Sequence, residues 1–373
     1  MQRINNYGSF LQAYALKKII ESMGHKVEFV DYVVGKPILL NRTDKISYVK
    51  NKYSKKISKL FLKLTPVWTF FPDNIRCSLQ HYNNFKSKYF DLLGVSDELN
   101  YYPNLDILVI GSDEVFNCTQ LNPDVGYSID LFGANAKSKK IITYAASFGN
   151  TTISSLEKAR KVEEISILMR KFDAISVRDD NSYNIVRKLV GKSPTINLDP
   201  TLIYDFSEEL SKEQVFTTNY ILVYAYRKRI STEEQLAIKA FARKTNRRLL
   251  AIGGYQSFCD ENIQCSPFKV LLYFRNADYV ITDTFHGTIF AVINERKFVT
   301  FVRGGQTHGY GNSEKLLHLL KTLKLQNRIV DNVSDLEKIM KTPIDYHTTN
   351  LIIGEEKIKA TSYLKESLQV SYT

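Results

Sequence analysis

The run DILVIGSDEVFN, Asp106 to Asn117, puts four consecutive apolar residues, Ile107 to Ile110, ahead of Gly111 and then two carboxylates, Asp113 and Glu114. A short unbroken apolar run closed by glycine is the pattern of a strand buried on both faces, as in a parallel sheet. In open α/β sheets ligands bind beyond the carboxyl ends of such strands, which is where these carboxylates fall. Outward from this run the rhythm repeats. Val27–Tyr32 (VEFVDY), Ile141–Ser147, Ala174–Val177 and Thr195–Leu198 read as strands, and Phe10–Met23, Ser154–Lys171 and Asn181–Val190 as helices between them. This is the alternation of a parallel sheet covered by helices.

A second series begins at Asn219 with NYILVYAY. It continues through a helix at Thr232–Lys244, strands at Arg248–Ile252 and Asp278–Thr282, a helix from Gly287 and a strand at Lys297–Val302. Two doubly wound α/β halves account for this order. The join is expected after Leu198–Asp205, where Asp199-Pro200 interrupts regular structure and the polar stretch Ser207–Thr218 follows. The expected organisation is a first domain over 1–205 with a basic helical insertion at about 36–90, a second over 206–345, and a terminal helix in 346–373 that packs back on the first.

The 373 residues carry 44% hydrophobic and 24% charged side chains, a soluble globular composition with ample core for two domains. No apolar run reaches the ~18 residues of a membrane span, and the start MQRINNYGSF lacks the apolar stretch of a secretion signal, so a cytoplasmic protein is expected. Cys77, Cys118, Cys259 and Cys265 form no C-x2-C pair and have no spaced histidine partners, which argues against a disulfide scaffold and a zinc site. The net charge is +12, and Lys36 to Lys88 alone holds twelve Lys or Arg against Asp44 and Asp73. The excess is therefore local.

Four loops at strand ends carry residue types suited to chemistry. In Asn5-Asn6-Tyr7-Gly8-Ser9, Gly8 and Ser9 open a helix whose free N–H groups suit an anion; an ordinary Asn-capped turn is the plainer alternative. Asp113 and Glu114 suit acid–base work or a sugar hydroxyl, or simply complement a helix dipole. Arg178 ends a strand and suits a bidentate carboxylate or phosphate, or else a surface ion pair with Asp179 or Asp180. In Thr282-Asp283-Thr284-Phe285-His286-Gly287, His286 stands at a helix start, fit to donate to an oxyanion or to move a proton.

Taken in order, NNYGSFLQAYALKKIIESMGHKVEFVDY (Asn5–Tyr32), DILVIGSDEVFN, KKIITYAASFG (Lys139–Gly149), AISVRD (Ala174–Asp179), LDPTL (Leu198–Leu202) and ADYVITDTFHGTIFAVINERKFV (Ala277–Val299) resemble the polysaccharide pyruvyl transferase family. The resemblance implies two facing Rossmann-like domains with a cleft between them, similar to the GT-B glycosyltransferase architecture. It implies transfer of pyruvate from phosphoenolpyruvate to a sugar as a cyclic ketal, with no metal or organic cofactor. Arg178 and His286 match residues that serve the phosphoenolpyruvate site. Gly8, Ser9, Ser147, Gly149 and Gly287 fall in matching segments as further substrate-binding positions, and Asp113 or Asp283 is the expected base toward the acceptor. Many members carry arginine two residues before the histidine; this chain has Thr284 there.

A glycosyltransferase using a nucleotide sugar is the alternative, with Arg303 and Glu314 in the stretch where a ribose carboxylate would stand. Nucleic acid is not an expected partner, because the 23 Tyr and 21 Phe are spread along the chain rather than interleaved with the basic run. An anionic membrane surface, or a lipid-linked acceptor on it, is the partner expected for 42–71. There Ile46, Val49, Tyr53, Ile57, Leu60 and Leu64 recur at helical spacing among lysines. Family members usually open with an apolar strand before the NYG turn. The four residues ahead of Asn5 are too few for one, so the first sheet is expected to lack a commonly central strand.

Overall fold

The computed structural model describes residues 2–40, 45, 46, 48, 49, 53, 71–304 and 313–369. It contains two all-parallel sheets. The first joins β1 (Asn104–Asp113), β2 (Lys137–Ala146), β3 (Ser176–Val177) and β4 (Thr195–Ile196) in that spatial order. The second holds β5 (Tyr220–Ala225), β6 (Arg248–Gly253), β7 (Glu261–Asn262), β8 (Tyr279–Thr282) and β9 (Phe298–Thr300) in the order β7-β6-β5-β8-β9. Its chain runs outward from β5 to β7 and then returns to the other side of β5. That reversal opens a crevice at the carboxyl ends of β5 and β8.

The helices that matter below are α1 (Tyr7–Ser22), α2 (Asp73–Asn84), α3 (Asp180–Val190), α4 (Pro200–Ile203), α5 (Thr232–Thr245), α6 (Pro267–Asn276), α7 (Phe285–Ile293), α8 (Ser313–Thr322) and α9 (Tyr346–Ser367). Most of these starts have a local chemical cause. Asn6, Asp179, Ser231, Ser266, Thr284 and Asp345 all accept a backbone N–H of the first turn on their side chains. The expected single helix over 154–171 is instead two, Ile153–Lys158 and Val162–Met169, divided at Arg160, which takes a left-handed φ of 54°.

One apolar cluster runs through both halves, joining Phe10 and Leu11 of α1 to Leu222 of β5 and Phe290 of α7. Helix α9 ties them again: Tyr346 Oη donates to the Arg296 carbonyl at 2.5 Å near its start, and Tyr363 Oη to that of Thr143 at 2.7 Å near its end. Val27–Tyr32 departs from expectation. Only Asp31 forms a bridge, to Tyr101, and the alternating burial of Val27, Glu28 and Phe29 belongs to a wall rather than to a sandwiched strand. The first sheet ends at β1, and α1 lies over the space beside that edge.

The six-position apolar face expected around 46–64 falls mostly outside the described residues; Ile46, Val49 and Tyr53 are exposed. Among the described residues no helix is long and apolar enough to cross a membrane.

Candidate active site

The strand ends of the two halves meet. β1 closes on Asp113, whose left-handed φ of 77° turns its carboxylate out of the strand direction. β3 delivers Arg178, and the turn after β4 delivers Asp199, the cap of α4. Arg178 is wedged between the two carboxylates, with Nη2 donating to Asp113 Oδ1 at 2.8 Å and Nη1 to Asp199 Oδ2 at 3.1 Å. Its side chain is 2% exposed and that of Asp199 0%. From the second half, His286 brings Nε2 to 3.5 Å from Asp199 Oδ2. Phe285 of the same turn stacks under the guanidinium, 4.6 Å from its centre, with Lys315 Nζ 5.4 Å from the same ring.

Lys315, on α8, is salt-bridged to Glu114. On the same helix, His318 Nδ1 stands 3.0 Å from Asp180 of α3. The cleft is thus drawn down to a crevice lined by Glu114, Ser147, Gly149, Asp179 and Lys315.

The electrostatics follow from burial opposed by partners. Burial would raise the Asp113 pKa, but Arg178, Lys315 and His286 overcome it and hold the carboxyl well below its ordinary value. Asp199 shows the same balance, with burial opposed by His286 and Arg178, and is also lowered. Burial works against the charge of Arg178, and Asp113 and Asp199 more than offset it, so its pKa is raised.

A second buried cluster fills the crevice between β5 and β8. Asp283, fully buried, takes Arg229 Nε at 2.7 Å and accepts the Tyr226 N–H at 3.2 Å. Arg303 grips Glu234 with both terminal nitrogens, at 2.7 and 2.8 Å, and lies 3.9 Å from Asp283. Here burial prevails over Arg229 and Arg303, and the Asp283 pKa is raised. Tyr226 connects the halves, its hydroxyl accepting from Asn6 Nδ2 at 3.4 Å.

Of the residues singled out in the sequence, Gly8, Ser9, Asp113, Arg178 and His286 converge. Ser9 Oγ donates to Asp113 Oδ2 at 3.4 Å, and a Cβ on Gly8 would stand 2.3 Å from His286 Nδ1. Gly8 therefore acts differently from the anion-binding expectation. The Gly8 and Ser9 N–H groups are both taken by the Asn6 side chain, and what the missing Cβ provides is room for the imidazole. Gly287 likewise gives its N–H to Thr284 Oγ1 at 2.9 Å and lets the helix start approach Thr282, where a Cβ would meet Oγ1 at 2.2 Å. Ser147 donates to Asp179 at 2.6 Å and Gly149, at φ 53°, packs on Glu114 and Asn117 beside Lys315, one step from the Arg178 cluster. Asp283 lies in the second cluster.

Sequence reading passed over Asp199, Lys315, Arg229 and Tyr226. Asp199 and Tyr226 each follow a strand, so the strand-end rule would have found them. Lys315 meets Glu114 across 201 positions and carries no local signal. Among the described residues no group of three or more His, Cys, Asp or Glu side chains is placed to hold a metal ion.

A family model described as polysaccharide pyruvyl transferase matches residues 6–304. No curated protein matches the chain. Among solved structures, the chain is similar to the UDP complex of MnaA from S. aureus at 9% identity, covering 92% of this chain and 88% of that one, with a TM-score of 0.44. It is also similar to an α,α-trehalose 6-phosphate synthase from Burkholderia multivorans at 10% identity, covering 88% and 80%, with a TM-score of 0.39.

Proposed function

The chain belongs to the polysaccharide pyruvyl transferase family, and we propose that it moves pyruvate from phosphoenolpyruvate onto two hydroxyls of a sugar in a polysaccharide or its lipid-linked precursor. The observation that carries this reading is the convergence of Arg178 and His286, from opposite halves, on the single carboxylate of Asp199.

The reaction adds a sugar hydroxyl to the central carbon of phosphoenolpyruvate while the methylene carbon takes a proton and becomes a methyl group. Phosphate then leaves and the second hydroxyl closes the ketal. The donor is polyanionic, and the cluster as it stands is balanced against it: Arg178 and Lys315 face Asp113, Glu114 and Asp199. Donor entry therefore parts the halves. Opening separates Lys315 from Glu114 and turns a cation toward the cleft, where phosphate replaces the carboxylate as its partner. His286 then holds a proton for the phosphate or the methylene carbon, with Asp199 behind Nε2 orienting the ring. Asp113, kept ionised, stabilises Arg178. Asp283, whose pKa is raised, is the better matched base toward the acceptor.

Phosphate release from phosphoenolpyruvate in the presence of a panel of lipid-linked and nucleotide-linked sugars tests this. Release with at least one acceptor, lost in His286→Ala, is the expected result. Turnover of a nucleotide sugar with no phosphoenolpyruvate consumed would replace this reading with glycosyl transfer.

A further inference from the structure

Three side chains of the first half converge on two adjacent residues of the second. Tyr7 Oη of α1 and Tyr89 Oη both donate to the Cys265 carbonyl at 3.0 Å, and His81 of α2 brings Nδ1 to 3.3 Å from the side-chain amide of Gln264. The other ring nitrogen of His81, Nε2, lies 3.0 Å from the Asn5 carbonyl, in the turn that opens α1. One imidazole thus touches both halves. The rings of Tyr7 and Phe85, with centroids at 5.0 and 4.8 Å, pack on it and fix its plane. A carbonyl only accepts, so Nε2 carries a hydrogen. The Gln264 amide offers either an NH2 or an oxygen, so it matches Nδ1 whether the ring is neutral or charged.

The contact matters because of where the Asn5 turn leads. Gly8, in the first turn of α1, lies so close to His286 of the second half that a Cβ there would stand 2.3 Å from Nδ1. His286 Nε2 in turn stands 3.5 Å from Asp199 of the first half. The spacing of the halves beside Asn5 therefore sets where the His286 ring stands. The ion pairs made by α8, Lys315 with Glu114 and His318 with Asp180, involve none of these segments. They can part while the contacts to Gln264 and Cys265 stay in place.

We propose that His81 is a positioning residue: by pinning the Asn5 carbonyl to Gln264 it fixes the two halves where Gly8 meets His286, and so holds that imidazole on Asp199 while the cleft opens at α8. Its effect on turnover rests on the pyruvyl-transfer reading, whereas its placing of His286 does not. Misplacing a reacting group by about 1 Å costs on the order of 100-fold in rate, so a small shift of the turn is enough to register.

The test replaces His81 by Asn, whose amide reaches the place of Nδ1 but not of Nε2, and by Gln, whose amide nitrogen reaches that of Nε2. In the full chain with isotope-labelled histidine rings, the His286 NMR signal, assigned by its loss in His286→Ala, is expected to move in His81→Asn and to return toward the parent position in His81→Gln. In phosphate release from phosphoenolpyruvate with the sugar panel above, kcat is expected to fall about 10- to 100-fold in His81→Asn, with KM for phosphoenolpyruvate changed less than about threefold, and to recover most of the loss in His81→Gln. Gln264→Ala, which cuts the pin from the second half and leaves α2 unaltered, is expected to move the same signal and serves if His81→Asn does not fold. An unmoved His286 signal in these variants would overturn the proposal, and so would an equal loss of kcat in His81→Asn and His81→Gln. If the parent releases no phosphate with any sugar, the transfer reading falls and the His286 signal alone decides the role of His81.

Discussion

Arg178 shows how one side chain can be both structural and chemical. Removing it leaves Asp113 and Asp199 facing each other in a site closed to water, and an uncompensated buried charge costs about 3 to 5 kcal/mol. Arg178→Ala is therefore expected to lose stability on that scale in urea denaturation, beyond any effect on donor binding. The sign of the pH dependence follows from the lowered pKa values of Asp113 and Asp199. A carboxyl lowered by folding stabilises fully above its unfolded pKa, about 3.9, and loses that contribution as pH falls toward its folded pKa. Asp113→Asn keeps a residue that tolerates the left-handed φ of 77° while removing the titration. Its stability deficit against the parent should shrink between about pH 7 and pH 3; a constant deficit would mean that Asp113 does not titrate across folding. Gly8 supports a third measurement. Gly8→Ala would push a methyl to 2.3 Å from His286 Nδ1, so one of the two must move, at a cost of about 1 to 3 kcal/mol for overpacking. An unchanged melting temperature and an unchanged His286 NMR signal would refute the contact. Site residues were legible where each follows a strand, as Asp113, Arg178 and His286 do. The role of Gly8 was not legible, because the ring it makes room for lies 278 positions away in the chain.

At the scale of elements, what the sequence made readable was the set of strands whose neighbours exist. β1, β2, β5 and β6 are pinned on both faces, and their apolar runs predict them within a few residues. Val27–Tyr32 has an equally strand-like pattern but meets a cavity where its partner would stand, so tertiary pairing overrides local propensity. β7 spans two residues, too short for any periodicity, and α6, a helix the sequence reading did not assign, starts at Pro267 behind the Ser266 cap. Helix α7 carries the most consequential start. Thr284 accepts the Gly287 N–H at 2.9 Å and holds the turn that presents Phe285 and His286. Thr284→Ala is expected to cost about 1 kcal/mol in stability, and Thr284→Ser to restore it. If the threonine served only as a spacer in the sequence, both variants would melt with the parent.

For the whole molecule, charge and architecture point the same way. The excess of +12 is concentrated between Lys36 and Lys88, and the described part of that segment includes α2, whose His81 Nε2 lies 3.0 Å from the Asn5 carbonyl, at the turn leading to Gly8 and the cleft. On the proposed reading a lipid-linked acceptor would be presented at an anionic surface, the kind of partner a locally basic stretch suits. Ile46, Val49 and Tyr53, at 63%, 48% and 62% exposure, supply apolar side chains free to enter an interface. Each lysine or arginine near an anionic surface contributes about 1 kcal/mol at low salt, and the attraction decays over a Debye length of about 10 Å at 0.1 M, shrinking to about 3 Å at 1 M. The protein is thus expected to sediment with vesicles containing phosphatidylglycerol at 50 mM salt, to be released largely by about 1 M, and to bind neutral vesicles weakly. Replacing Lys55, Lys56, Lys59 and Lys63 by Gln should remove most of the low-salt binding while leaving the melting temperature unchanged. If instead this face packs on the first half of the molecule, the same four replacements lower the melting temperature and the parent protein stays in the supernatant at every salt concentration.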